Sequence, residues 1–208
     1  MRFFIVTAIL AAVAVASPIV ENVERGDRPD PTTVKVTKVT WAGTGCPAGS
    51  VAYDIGEDGT VVALSFDKYV AQTGGNAEPK DARQNCNVRM TMNYPAGWSY
   101  TVASTILRGG AKIPKNCEAT LGAKYFFSGQ VDEAKCSRKF KGPFNDDYIQ
   151  ETGVDALVWS KCGVKGKEGP LFNVNSEAKI DCKDAAYLGV DTQDTKFEMK
   201  LLLQWKKC

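Results

Sequence analysis

An all-β fold, a disulfide-bonded antiparallel sandwich or jelly roll, is predicted by three features of the 208-residue sequence. Apolar residues recur at period two over much of the chain. Clusters of Gly, Pro, Asn and Asp separate those runs, and no amphipathic stretch is long enough for a convincing helix.

The elements follow in order. A first strand is expected over residues 34–41. Val51, Tyr53 and Ile55 alternate with small or polar neighbours, Glu57-Asp58-Gly59 breaks the run, and Val62, Leu64 and Phe66 resume it, which is a β-hairpin pattern. A short helical turn is expected near residues 66–72. From Cys86 through Val88, Met90, Met92 and Tyr94 the apolar side alternates with Asn87, Arg89, Thr91 and Asn93. Pro95-Ala96-Gly97 then supplies a preset turn and a residue free to adopt positive φ, so a second hairpin is expected. Its register would set Tyr94 opposite Trp98, Met92 opposite Tyr100, Met90 opposite Val102 and Val88 opposite Ser104. Its other face would gather Arg89, Thr91, Asn93, Ser99 and Thr101. Further strands are expected over residues 124–128, 156–161 and 172–180, with a helical turn near 146–152. The last strand alternates Phe197, Met199, Leu201, Leu203 and Trp205. One domain over residues 34–208 accommodates all of them.

The N-terminus carries an address. Met1 and Arg2 precede an apolar run of about 14 residues, shorter than a membrane-spanning helix, and Ala14-Val15-Ala16 supplies the small-x-small pattern of signal peptidase sites. Residues 1–16 are therefore expected to be a secretory signal and the mature protein to be extracellular, without membrane insertion. Residues 17–33, rich in Pro and mixed charge, are expected to form a disordered leader.

An oxidising destination makes bridges the expected state of the seven cysteines, with one thiol left over. Spacing does not determine the pairing. Chain order suggests Cys46–Cys86, Cys117–Cys136 and Cys162–Cys208, leaving Cys182 free. The spacings match no common zinc module. Two W-x-x-C runs, Trp159 to Cys162 and Trp205 to Cys208, suggest core tryptophans with bridges at strand ends.

Composition excludes more than it offers. There is no histidine, so Ser/His/Asp and Cys/His nucleophilic pairs and His-bound zinc are closed to this chain. The 26 basic and 24 acidic residues give a net charge of +2 with no long single-sign block, which does not suggest nucleic acid as a partner. Ser65/Lys68 and Ser176/Lys179 match the spacing of a Ser/Lys nucleophile, but on strands those positions face opposite ways. Asp146, Asp147, Glu151 and Asp155 contain the carboxylates a His-free glycosidase would need, though solvated charge accounts for them. Asp54, Glu57 and Asp58, or Asp191 and Asp194, are candidate calcium ligands that fit no regular loop. Gly43, Gly45 and Gly49 lack the continuation of a phosphate cradle and read as a bulged turn around Cys46. No cofactor and no metal are expected. Tyr94, Trp98 and Tyr100 are the candidate ligand platform, for sugar rings or a protein anchor, with core packing as the competing role.

The runs Trp41-Ala42-Gly43-Thr44-Gly45-Cys46-Pro47, Arg83-Gln84-Asn85-Cys86, Tyr125-Phe126-Phe127-Ser128-Gly129, Trp159-Ser160-Lys161-Cys162-Gly163 and Trp205-Lys206-Lys207-Cys208 resemble a family of small secreted proteins abundant in filamentous fungi. That family carries a domain of unassigned function, and the resemblance covers nearly the whole mature chain. It implies a secreted, disulfide-bonded all-β domain, supports the first and last bridges, and supplies no catalytic residues. The functional expectation is a non-catalytic binding protein, an effector in a host apoplast or a protein acting at the cell surface. Its partner would be a host or wall protein or a polysaccharide. The alternatives are a wall polysaccharide-binding protein and a His-free glycoside hydrolase.

Overall fold

Strands of alternating burial form the body of the protein, and two antiparallel sheets lay their apolar faces together, as period-two sequences with one wet side must. The computed structural model describes residues 27–189 and 197–208. The expected signal peptide, the part of the leader before residue 27, and Asp191 and Asp194 lie outside the described residues.

The first sheet has five strands: β1 (Lys35–Ala42), β5 (Arg83–Asn93), β10 (Leu171–Asp181), β7 (Glu118–Phe127) and β8 (Glu133–Lys141), in that spatial order. The second runs β2 (Val51–Ile55), β3 (Val61–Phe66), β12 (Phe197–Lys207), β6 (Trp98–Ile113), β11 (Ala186–Gly189) and β4 (Val70–Thr73). A further strand, β9 (Phe144–Gly153), also pairs with β6. Residues of β6 that bond β12 or β11 also bond β9, so β9 takes the opposite edge.

The hairpin of β2 and β3 forms in the expected place. The second hairpin does not, and this is a correction. Strand β5 is flanked on one edge by β1 and on the other by β10, so it has no free edge for β6. Pro95-Ala96-Gly97 instead makes a corner that carries the chain from one sheet to the other. Gly97 N–H bonds Gly163 O, and the left-handed φ of +79° is easily reached by glycine. Tyr100 pairs with Trp205 in β12, and Trp98 with Lys207. The Tyr94 and Tyr100 rings meet edge-to-face across the core at 5.2 Å.

Other expectations are also corrected. Of the expected helical turns, residues 66–72 are instead the end of β3, a bend and the start of β4, and residues 146–152 lie within β9, because the strand portions have backbone partners. Residues 156–161 form no strand, although Ser160 N–H bonds Tyr100 O and extends the edge that β9 occupies. The end of the expected leader packs on the domain. Pro29 is buried, Arg28 pairs with Asp58 at 3.1 Å and Asp27 with Lys207 at 3.0 Å.

Aromatic rings fill the core. Tyr100 contacts Tyr94, Phe127, Phe172 and Trp205, with centroids 5.2 to 6.0 Å apart. Phe66, Tyr69 and Phe197 form a second group at 5.0 to 5.5 Å. Gly189 is required beside it, since a Cβ there would lie 2.0 Å from Tyr69 O.

The bridges are Cys46–Cys86, Cys117–Cys182 and Cys162–Cys208, with Cys136 buried and free. The expected Cys117–Cys136 pair is corrected by register. Cys136 lies opposite Ala123, while Cys117 precedes β7, and six residues of strand separate positions 117 and 123 by about 20 Å. Asp181 pairs with Glu118, which leaves Cys182 facing Cys117.

Alkylation of the native, unreduced protein is therefore expected to label no cysteine, and labelling after unfolding should mark Cys136 alone. Cys182→Ala, which opens a loop with a sequence separation of 65, is expected to cost about 4 kcal/mol in urea unfolding.

Candidate functional site

The registers of the five-stranded sheet turn its outer surface into a grid. Each rung runs across β5, β10, β7 and β8. One rung carries Arg83, Lys179, Thr120 and Lys139, and the next Asn85, Glu177, Gly122 and Ser137. The third carries Asn87, Asn175, Lys124 and Lys135, and the fourth Arg89, Asn173, Phe126 and Glu133. Inward residues on the same strands, among them Cys86, Val88, Leu121, Tyr125, Val174 and Ala178, are buried. Alternation thus separates an apolar underside from a polar top.

Gly122 has no side chain to fill its place in the grid, and a depression of about 460 Å³ lies over it, walled by Arg83, Asn85, Lys124, Lys135, Asn175 and Glu177. Arg83 donates from Nε to Glu177 at 2.7 Å. Glu133 receives Lys135 Nζ at 2.6 Å and Lys124 Nζ at 3.5 Å, and the hydrogen bond from Lys135 holds its carboxyl below the usual range. Arg89 donates to the Asn87 amide oxygen at 3.3 Å. The buried Asn173 is spent locally, donating to Ser128 Oγ at 3.0 Å. Asn85 and Asn175 have no side-chain hydrogen bond among the described residues, so their amides are open to a ligand.

The underside of this grid is pinned. Tyr125 OH shares a hydrogen bond of 2.7 Å with Thr105 Oγ1 of the other sheet and lies 3.2 Å from Cys136 Sγ. Burial pushes the Tyr125 hydroxyl well above its ordinary range, so it stays protonated. Asp155 Oδ1 accepts from Lys135 N–H at 2.6 Å and so caps the β8 edge beside the groove.

The residues singled out from sequence go elsewhere. Tyr94 and Tyr100 are core residues, and Trp98 is half-buried with Lys207 Nζ 5.6 Å from its ring centre, so these three form no exposed platform. Ser99 and Thr101 are buried in the other sheet, away from Arg89 and Asn93. Trp205 is buried and bonds Gly59 O, whereas Trp159 is half-buried under Lys206. Ser176 and Lys179 point to opposite faces of β10, and Ser65 and Lys68 are three positions apart across the end of β3. Asp147 and Glu151 share the outer side of β9, about 13 Å apart along the strand, against the roughly 5–9.5 Å of paired glycosidase carboxylates. Asp58 pairs with Arg28 and accepts from Thr60 N–H, the Thr60 hydrogen bonds holding its carboxyl below the usual value. Among the described residues, one group of three potential metal ligands converges, Cys117, Cys182 and Asp184, and its two thiols are joined in a disulfide.

Residues 32–208 match the model of the Domain of unknown function (DUF4360). The chain belongs to this family. A fungal relative, the "Uncharacterized secreted protein" of Arthroderma benhamiae (strain ATCC MYA-4681 / CBS 112371), is 36% identical over 188 residues, covering 88% of this chain and 75% of the relative. This DUF4360 protein is likewise secreted, and no helix among its described residues is long and apolar enough to cross a membrane. One solved structure, TmCBM61 in complex with beta-1,4-galactotriose, overlaps 86% of this chain and 94% of its own at 11% identity, with a TM-score of 0.31. An overlap that poor carries no inference about this chain.

The site was signalled in sequence by Asn85-x-Asn87 and Asn173-x-Asn175, since asparagine is depleted in strands and here recurs on outward positions. What sequence does not carry is that β5 and β10 are neighbours.

Tyr100 offers a clean test of core against platform. Its hydroxyl is buried with no partner among the described residues, so Tyr100→Phe is expected to leave stability unchanged or raise it by about 1 kcal/mol, and Tyr100→Ala to cost about 3–5 kcal/mol, read by urea unfolding.

Proposed function

We propose that this secreted protein acts by binding rather than by catalysis, and that its ligand is a polysaccharide lying along the asparagine-lined groove over Gly122. The observation that carries the proposal is the open pair Asn85 and Asn175 beside that depression. A side-chain amide offers both a donor and an acceptor, which suits neighbouring sugar hydroxyls. Strand propensity gives no reason for asparagines at these positions, and sites that break local preference are where function is to be sought.

A protein partner has less support. Docking on a protein favours a contiguous apolar or aromatic centre. The large exposed apolar residues here, including Tyr53, Val131, Ile149, Leu157 and Val164, are dispersed over separate strands and loops. A role as an effector in a host apoplast is the narrower form of the proposal, in which the polymer belongs to a host wall. It predicts weakened infection by a deletion strain.

The mature, oxidised protein should be depleted from solution by at least one member of a panel of chitin, β-glucan, xylan, galactan and pectin. Asn85→Ala with Asn175→Ala removes about 1 kcal/mol of hydrogen bonding at each amide, so affinity should fall roughly 30-fold while the melting temperature holds. Binding to no member of the panel, or equal binding by this variant, would remove the proposal.

A further inference from the structure

Charge on this protein is sorted by face. The outward positions of the five-stranded sheet hold Lys35 and Lys38 on β1, Arg83 and Arg89 on β5, and Lys179 on β10. Lys124 on β7, and Lys135, Lys139 and Lys141 on β8, complete the set. Against them stand Glu177, Asp181, Glu118 and Glu133. That is more than two bases for each acid, on a chain whose net charge is only +2. The surplus on this face exceeds that of the whole molecule, so the remainder of the chain is net acidic. Local ion pairing does not absorb the excess. Two lysines share Glu133, Arg83 takes Glu177, and Lys139 and Lys179 have no acidic partner among the described residues.

We infer that the polysaccharide held in the groove is a carboxylate-bearing one, a polyuronate, which rests on the proposed function and narrows its ligand. Two cation-bearing rungs flank one without cations: Arg83, Lys179 and Lys139 share a rung with Thr120, the next is Asn85, Glu177, Gly122 and Ser137, and the third sets Lys124 and Lys135 beside Asn87 and Asn175. Such interleaving fits a polymer whose sugars each carry one carboxylate among several hydroxyls, with amides taking the hydroxyls and ammonium or guanidinium groups the carboxylates. A densely sulfated chain would be opposed by Glu133 and Glu177. Single-stranded nucleic acid would need stacking rings, and Phe126 is the one aromatic residue on these four rungs.

The test compares the full mature protein on polygalacturonate, on the same polymer fully methyl-esterified, on neutral galactan and on dextran sulfate, at low salt and at 0.5 M NaCl. Polygalacturonate should bind best, esterification should weaken binding by about tenfold or more, and added salt should weaken it similarly. Lys139→Gln with Lys179→Gln should reduce binding to polygalacturonate by about tenfold, leave the weaker binding to the ester unchanged, and preserve the melting temperature, as both side chains are exposed. Equal, salt-insensitive binding to the acid and its ester would overturn the polyuronate inference and leave polysaccharide binding standing. Preference for dextran sulfate would overturn the inference as well. Binding to none of these four polymers would overturn the polyuronate inference and leave the proposed function to the wider panel that includes chitin, β-glucan and xylan.

Discussion

Tyr100 fastens the two sheets together. Its ring meets Tyr94 and Phe172 from strands or corners of the five-stranded sheet, Phe127 at the end of β7, and Trp205 beside it on β12. This contact is available only because the chain turns out of one sheet at Pro95-Ala96-Gly97 and enters the other. Were β5 and β6 a hairpin, Tyr94 and Tyr100 would share one sheet face, and the layer beneath would lack its central ring. The corner therefore determines the two-layer architecture, and the architecture determines which side of β5 remains wet.

Everything proposed for function depends on that wet side. Strand β5 is central, flanked by β1 and β10, so its outward residues lie in the middle of a sheet rather than at a rim. Asn85, Asn87 and Arg89 thus join Asn175 and Glu177 across one strand spacing, and Gly122 opens a hollow among them. The Tyr125–Thr105 hydrogen bond below holds the sheet on which the hollow is built. Two of the bridges act away from it, and the third holds the turn that packs against Asn85. Cys117–Cys182 closes the ends of β7 and β10, Cys46–Cys86 holds the glycine-rich turn after β1 against β5, and Cys162–Cys208 ties the chain end beside the corner. Close packing at that turn explains two of its glycines, since a Cβ on Gly43 would meet Asn85 O at 2.2 Å and one on Gly45 the Tyr69 ring at 2.6 Å.

Local pattern was legible wherever the partner was close in sequence. The hairpin of Val51–Ile55 with Val61–Phe66 is written in its alternation and its Glu57-Asp58-Gly59 turn, and the strict alternation of Phe197 to Trp205 marks a strand with a fully buried side. Pairing was lost where it depended on remote residues. Pro-Ala-Gly between two alternating runs suits a hairpin and a sheet-crossing corner equally well, and only the occupancy of both β5 edges decides between them. The same holds for Cys117, whose nearest cysteine in sequence is a long way off along the hairpin, while Cys182 reaches it through the β7–β10 register.

Sequence by itself determined that the chain is built of alternating strands, that it is rich in bridging cysteines, and that histidine chemistry is closed to it, because side-chain period and residue inventory are local properties. Tertiary structure alone decided which strands remote in sequence are neighbours. It thereby moved Tyr94 and Tyr100 from a surface platform into the core and brought together asparagines 90 positions apart into one groove, because a strand's backbone edges are satisfied by whichever segment packing brings alongside.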